Sequence, residues 1–151
     1  MSKKIVLAAA LASAALFSGC ESAQTTQKTA NNLQLLQNKT WIATQIGNTE
    51  IKTSPSSHSV PSIRFDGATQ HVSGSDGCNR LAGAYAAGTD SLQLSQLVST
   101  RMACLDTNNT DVKFNEALSK VSRYQTFGKT LKLLDNHGNL LIQFESAVQP
   151  R

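Results

Sequence analysis

The order of apolar and polar residues divides most of the chain into short alternating segments separated by turn residues. Runs of four to eight residues with this alternation, bounded by Gly, Asn or Asp, are typical of β-strands. The pattern predicts strands at Thr40 to Ile46, Ser62 to Asp66, His71 to Ser73, Leu81 to Tyr85, Ser91 to Leu94, Leu97 to Met102, Tyr124 to Phe127, Leu131 to Leu134 and Leu140 to Phe144.

One segment has helical spacing instead. Between Phe114 and Val121 the apolar residues recur at i, i+3, i+4 and i+7, and Asn109 or Thr110 is available as the N-cap. Many short strands with one helix indicate a mainly β fold of the α+β class. We therefore expect a strongly curved antiparallel sheet, or a sheet closed into a barrel, with one helix packed against it.

The first 19 residues have the layout of a secretory signal peptide. Lys3 and Lys4 precede an apolar run from Ile5 to Phe17, which is short for a permanent membrane span and ends in small residues. Residues 1–19 are therefore predicted to be removed from the mature protein.

The end of this signal, Phe17-Ser18-Gly19-Cys20, resembles the lipobox of bacterial lipoproteins. The resemblance implies lipidation of the Cys20 sulfur, cleavage before Cys20 and a durable membrane anchor of several acyl chains. Glu21 stands where inner-membrane lipoproteins usually carry Asp, so the expected location is the outer membrane, facing the periplasm. The alternative is an ordinary cleaved signal with an incidental cysteine.

The segment after Cys20 has a composition typical of a disordered linker. From Glu21 to Asn32 it contains neither aromatic nor large aliphatic residues. We predict a flexible tether over residues 20–32, spanning roughly 20 Å as a coil, and one folded domain over residues 33–147.

The charge balance argues against nucleic-acid binding. The chain has 14 Lys and Arg against 10 Asp and Glu, and loss of Lys3 and Lys4 leaves 12 basic residues against 10 acidic ones. No block of basic residues interleaved with aromatics remains.

The predicted domain resembles the META domain family, which includes the HslJ-like heat-shock lipoproteins. The matching pieces are Trp41, "SIRFD", "VSGSDGCNRLAGAY", "LVSTRMAC", the helix with Phe114 and "LKLLDNHGNLLIQF", in the family's order. The resemblance implies a calycin-like antiparallel barrel with a packed helix. It associates the chain with heat stress, envelope integrity and antibiotic tolerance, and with no established enzyme activity.

The glycine-rich stretch around Cys78 carries no complete catalytic or metal motif. A nucleophilic cysteine needs a nearby base, and His58, His71 and His137 lie in or near loops, although His71 could approach Cys78. Cys78 and Cys104 lack further metal ligands, and neither phosphate-binding glycine pattern is present. We therefore expect no enzyme activity, metal or cofactor.

Cys78 and Cys104 are the two cysteines that remain if Cys20 is lipidated. An even number of cysteines in an oxidising compartment favours a disulfide bond, which would stabilise the fold by roughly 3 kcal/mol in the chain-entropy estimate. Two separate buried thiols are the alternative.

Four polar residues near these cysteines could bind a ligand or partner: Asp76, Asn79, Arg80 and Arg101. Turns are rich in Asp and Asn for structural reasons, and single arginines are often surface residues, so a structural role is the competing interpretation. The resulting hypothesis is a non-catalytic envelope lipoprotein that supports stress tolerance through protein or surface contacts. The alternative is a carrier of a small apolar ligand inside the barrel.

Overall fold

The computed structural model describes residues 21–52, 60–105 and 108–147. In chain order its elements are α1 (Glu21–Leu36), β1 (Thr40–Ile46), β2 (Thr49–Glu50), β3 (Ser62–Phe65), β4 (His71–Ser75), β5 (Arg80–Ala87), β6 (Leu92–Ser99), α2 (Thr110–Ser119), β7 (Arg123–Phe127), β8 (Thr130–Leu134) and β9 (Leu140–Ser146). The predicted signal peptide, Cys20 and His58 lie outside the described residues.

The strands form one antiparallel sheet in the order β6-β5-β4-β3-β1-β9-β8-β7, with β2 paired to β1. The sheet is strongly curled into a half-barrel, and its two edge strands approach each other at a single bridge between Ser91 and Arg123. The Leu92 N–H donates to the Ser122 carbonyl at 3.0 Å, and the Tyr124 N–H donates to the Asp90 carbonyl at 2.8 Å. The predicted mainly β, strongly curved architecture is confirmed.

The inner face of the sheet is filled with large side chains. Trp41, Phe65, Phe114, Phe144 and Tyr124 are all almost completely buried and belong to one apolar cluster. Phe65 packs edge-on against Tyr85, and Phe114 of α2 packs edge-on against Phe144 of β9. The interior predicted as a possible ligand cavity is therefore occupied by the protein's own core.

Two glycines mark a close approach and an irregularity between neighbouring strands. At Gly74 a side chain is excluded, because a Cβ would lie 2.1 Å from the Ser62 carbonyl oxygen on the neighbouring strand. Between β5 and β6 the register shifts opposite Gly83, and Gln96 adopts a φ of 53°. This is a β-bulge, which bends and twists the strand that carries it.

The same bulge explains a difference from the predicted strands. Alternation breaks at Ser95-Gln96, so the sequence pattern indicates two strands, Ser91 to Leu94 and Leu97 to Met102. The structure has one strand, β6, which ends at Ser99. The two-residue strand β2 was not predicted.

The predicted flexible tether is wrong for the described residues, because Glu21–Leu36 forms helix α1. The described residues therefore contain two helices, where the sequence predicted one. The Asn32 side chain donates to the Thr89 carbonyl at 2.6 Å, and the hydroxyls of Thr29 and Thr89 share a hydrogen bond. Leu36 is fully buried, and its carbonyl accepts the Trp41 indole N–H at 2.9 Å. These tertiary contacts stabilise a segment whose composition alone does not favour order, although Ala, Gln and Lys are good helix formers.

Helix α2 lies close to its predicted position, at Thr110–Ser119. Asn109 occupies the N-cap in a left-handed conformation without a side-chain capping bond, and the Lys113 N–H donates to the Asn109 carbonyl at 3.0 Å. Phe114, Ala117 and Leu118 are the buried residues of this helix, as its spacing predicts.

Candidate functional site

The curled sheet has two ends that are built differently. We call one the α1 end, which comprises α1 and the turns at residues 66–70, 88–91 and 128–129. We call the other the disulfide end, which comprises the turn at residues 76–79, the segment at residues 100–105 and α2. Because successive antiparallel strands run in opposite directions, consecutive connections along the chain lie at opposite ends of the sheet.

At the disulfide end, Cys78 and Cys104 are joined by a disulfide bond, with their Cα atoms 5.8 Å apart. The bridge joins the β4–β5 turn to the irregular segment that follows β6. The structure therefore contains the predicted pair as a disulfide and not as two separate thiols.

Asp76 is 1% exposed and organises the β4–β5 turn. Its Oδ1 accepts the backbone N–H groups of Cys78 at 3.0 Å and Asn79 at 2.6 Å, while Oδ2 accepts the Asn115 side chain at 2.7 Å. Gly77 between them has a φ of 97°, which favours glycine. The carboxylate thus fixes the turn that carries Cys78 and attaches α2 to it.

Asn79 is buried and fixes the segment on the other side of the disulfide. Its Oδ1 accepts the Met102 backbone N–H at 2.6 Å, and its Nδ2 lies 3.5 Å from the Cys104 sulfur. Thr100 continues the link, because its hydroxyl accepts the Arg80 backbone N–H at 3.0 Å. Asn79 and the disulfide therefore stabilise the same chain segment.

The structure divides the four predicted binding residues into two groups. Asp76 and Asn79 are buried, with their polar atoms engaged in the network described above, whereas Arg80 and Arg101 are exposed. Asn115 and Thr100 also belong to this network, and the sequence did not indicate either of them. Asn115 follows the buried Phe114 directly, a weak signal for a polar residue facing the interior.

The histidine that could approach Cys78 lies at the other end of its strand. His71 begins β4 at the α1 end, where its carbonyl accepts the Asp66 N–H at 2.8 Å, whereas Cys78 follows the opposite end of β4. Across the described residues, no group of three or more His, Cys, Asp or Glu side chains is placed to hold a metal ion.

An open groove of about 1010 Å³ lies beside the disulfide. The disulfide, Asp76 and Gly77 form one part of its lining, and Ile46, Ile51, Val60 and Leu105 supply apolar surface. Besides Asp76, the charged residues along it are Glu50, Lys52, Asp111 and Lys113. A groove with apolar surface, charges of both signs and a rigid wall suits contact with a peptide or protein segment.

Hydrogen bonds and packing connect the turns and strands of the α1 end. The Gln37 side chain donates to the Tyr85 hydroxyl at 2.8 Å, and that hydroxyl donates to the Asp66 carbonyl at 3.0 Å. Burial raises the pKa of Tyr85. The pKa of the Asp66 carboxyl is lowered, chiefly because the Thr69 backbone N–H donates to it.

Tyr124 lies where the two edge strands approach each other, at the same end. Its hydroxyl donates to the Gly88 carbonyl at 2.8 Å. Burial first, and the neighbouring Asp90 carboxylate second, raise the pKa of Tyr124 to about 12. The phenol therefore stays neutral well above physiological pH.

Neither helix in residues 21–52, 60–105 and 108–147 is both long and apolar enough to cross a membrane.

Comparisons with known proteins agree with this architecture. The sequence profile of the META domain matches residues 31–148. None of the curated proteins matches the chain.

Three solved structures have the same fold at low sequence identity. An NMR structure of a protein from Burkholderia xenovorans is 21% identical, with a TM-score of 0.59, covering 95% of this chain and all of that one. A second NMR structure is 21% identical, with a TM-score of 0.58, covering 74% of this chain and 92% of that one. The crystal structure of a DUF4847 family protein from Bacteroides vulgatus is 19% identical, with a TM-score of 0.53, covering 78% of this chain and 99% of that one.

Proposed function

This chain belongs to the META domain family, and from that premise we propose that it is a non-catalytic envelope lipoprotein that presents the groove at its disulfide end to a protein partner. In this proposal Cys20 carries the lipid and holds the protein on the outer membrane, facing the periplasm. In this proposal, contact with the partner contributes to stress or antibiotic tolerance, and the protein catalyses no reaction.

The observation that carries the proposal is the way the disulfide end is built. A disulfide and a buried Asp76–Asn115 contact fix the wall of a groove that is itself open and lined by charges of both signs. A preorganised surface loses less conformational entropy when a partner binds, which favours a binding role.

The side chains that could suggest catalysis have structural partners. Both Asp76 oxygens accept hydrogen bonds from the turn and from α2, and both cysteines of the domain are joined in the bridge. A general base needs a free acceptor within reach of a substrate, and a cysteine nucleophile needs a thiolate. Neither group meets this requirement, which supports binding over catalysis.

Anchoring is supported by the lipobox-like residues before Glu21 and by the position of α1. The described part of α1 contacts the turn at residues 88–91 through Asn32, at the end of the domain away from the groove. A lipid on Cys20 would place the α1 end nearest the membrane and leave the disulfide end accessible from the periplasm.

The experiment compares two double charge reversals in cells that need the protein to survive the stress. Lys52→Glu with Lys113→Glu alters the groove, and Arg64→Glu with Lys132→Glu alters exposed positions of the sheet. We expect the groove variant to lose survival while its abundance, melting temperature and membrane localisation stay at wild-type values. The sheet variant should survive normally.

Cys20→Ser is the matched test of anchoring, and it should release the protein from membranes or leave it unprocessed. Wild-type survival in the groove variant would refute the groove as the contact surface. A Cys20→Ser protein that is still processed and membrane-bound would refute the lipid anchor.

A further inference from the structure

Phe127 is an unusual surface residue of this domain. It is the last residue of β7, next to the Gly128-Lys129 turn, and it is 89% exposed. Trp41, Phe65, Tyr85, Phe114, Tyr124 and Phe144, the other aromatic residues in the described parts of the chain, are all buried. A fully exposed phenylalanine leaves a large apolar area in water, so it is well suited to burial in another phase or surface.

Phe127 lies near α1, the helix through which the chain enters the domain. Phe127, Lys28 and Asn32 line one shallow groove between β7 and α1. Lys28 lies seven residues after Glu21, the first residue of α1 that the structure describes. At a rise of 1.5 Å per residue, about 10 Å of helix separates Glu21 from this groove. Phe127 is therefore close to the level at which the chain would leave a membrane anchored through Cys20.

The charges around Phe127 suit a phospholipid surface. Lys28 and Lys129 are both exposed, one on α1 and one in the hairpin turn. The nearest acidic side chain in the same groove, Asp90, is paired with Arg123 at 2.6 Å. Exposed lysines beside an apolar side chain are the combination that binds at the boundary between headgroups and acyl chains.

We propose that Phe127 inserts at the boundary between headgroups and acyl chains in the periplasmic leaflet of the membrane that holds the anchor, with Lys28 and Lys129 contacting lipid phosphates. This inference rests on the proposed lipidation of Cys20. The lipid and the hairpin then form two contacts at the α1 end, and together they fix the orientation of the domain so that the disulfide end faces away from the membrane.

The test uses full-length lipidated protein reconstituted in vesicles of phosphatidylethanolamine and phosphatidylglycerol that contain a bromine-labelled phospholipid. Phe127→Trp places a fluorophore at the proposed contact, and the native Trp41 is completely buried and supplies a constant background. Leu105→Trp is the matched control, because Leu105 is 98% exposed at the disulfide end. We expect the added fluorescence of Phe127→Trp to be shifted to the blue and quenched several-fold more strongly than that of Leu105→Trp.

Flotation of both variants with the vesicles separates the two claims. If both variants float but are quenched equally, the hairpin contact is refuted and the anchor is retained. If neither variant floats, the lipid anchor is refuted, and the hairpin contact, which depends on the anchor, is refuted as well. A blue shift that persists in detergent together with a doubled mass would show that Phe127 packs against a second copy, which also overturns the proposal.

Discussion

The two ends of the curled sheet are stabilised by partly different interactions. At both ends strands stop and their turns leave backbone groups that need partners. The α1 end satisfies them with a helix, a buried leucine, the bond from the Trp41 indole to the Leu36 carbonyl, and the Asp66 carboxylate, which accepts the Ala68 and Thr69 backbone N–H groups. The disulfide end uses a covalent bridge and the buried Asp76 carboxylate.

Both ends have a groove, of about 1010 Å³ at the disulfide end and about 940 Å³ at the α1 end, and the one at the disulfide end lies beside a covalently fixed wall. At the α1 end, α1 lies against the 88–91 turn and leaves a shallow groove between itself and β7. Covalent and charge-assisted bonds fix the disulfide end at a few points without covering it, so that its surface stays accessible. Stability and accessibility are thereby combined at the disulfide end.

The largest expected effect comes from removing Trp41. Trp41→Ala deletes a fully buried side chain from the core and the indole N–H that bonds Leu36. We expect a loss of about 3 to 5 kcal/mol in the free energy of unfolding, measured by urea denaturation. Trp41→Phe, which keeps most of the packing, should cost clearly less. A cost below about 1 kcal/mol for Trp41→Ala would contradict the packing described for the α1 end.

Removing the disulfide should have the next largest effect. The bridge closes a loop with a sequence separation of 26 residues. Cys78→Ala with Cys104→Ala should lower the free energy of unfolding by about 3 kcal/mol in the chain-entropy estimate. Mass spectrometry of unreduced peptides from the wild type should show the two cysteines linked. Wild-type stability in the double variant, or two alkylatable thiols in protein taken from the periplasm, would argue against the bridge.

A smaller loss is expected when the carboxylate of the disulfide end is removed. Asp76→Ala leaves the donors of Cys78, Asn79 and Asn115 without their acceptor, and we expect a cost of about 2 kcal/mol. Asn115→Ala removes one of these bonds and should cost about 1 kcal/mol. A double-mutant cycle should show coupling between the two positions, and strictly additive costs would show that the contact between Asp76 and Asn115 contributes nothing.

The smallest effect at neutral pH is expected from Tyr124 at the α1 end, and it should grow with pH. The folded pKa of Tyr124, about 12, lies above its ordinary value of 10. Its contribution to stability is therefore fully present below pH 10 and is lost as pH rises through about 12. Tyr124→Phe should cost about 1 kcal/mol at pH 7 through the lost bond to Gly88.

The check is urea denaturation of both proteins across this pH range. Tyr124→Phe should show a smaller fall in the free energy of unfolding than the wild type between pH 10 and 12. Identical alkaline profiles for the two proteins would contradict the assigned pKa.

The local pattern of apolar and polar residues predicted the strands better than it predicted the structures at the two ends of the sheet. The alternation in Thr40–Ile46 gave β1 with its observed bounds, since one face of that strand is buried and the other is not. The bulge at Gln96 could not be distinguished from a turn in the sequence, because an inserted residue breaks the alternation of apolar and polar residues in the same way. Helix α1 was missed because its order depends on Thr89, which is 57 residues from Asn32 along the chain.

The disulfide end was predictable in its covalent part only. Cysteine number and compartment favoured the bridge, and Asp76 and Asn79 were identified as turn residues. Their partners lie far away in sequence, since Asn115 is 39 residues from Asp76 and Met102 is 23 residues from Asn79. Only the folded sheet brings them together, so their burial could not be inferred from the turn sequence.

Hydrogen exchange tests most directly the central claim that the α1 end faces the membrane and the disulfide end faces the periplasm. The lipidated protein on vesicles is compared with soluble Cys20→Ser protein, peptide by peptide. We predict that the vesicle-bound protein gains protection in α1 and around residues 125–130, with no gain at residues 76–79 and 100–105. Protection gained at the disulfide end, or no difference at either end, would contradict the account.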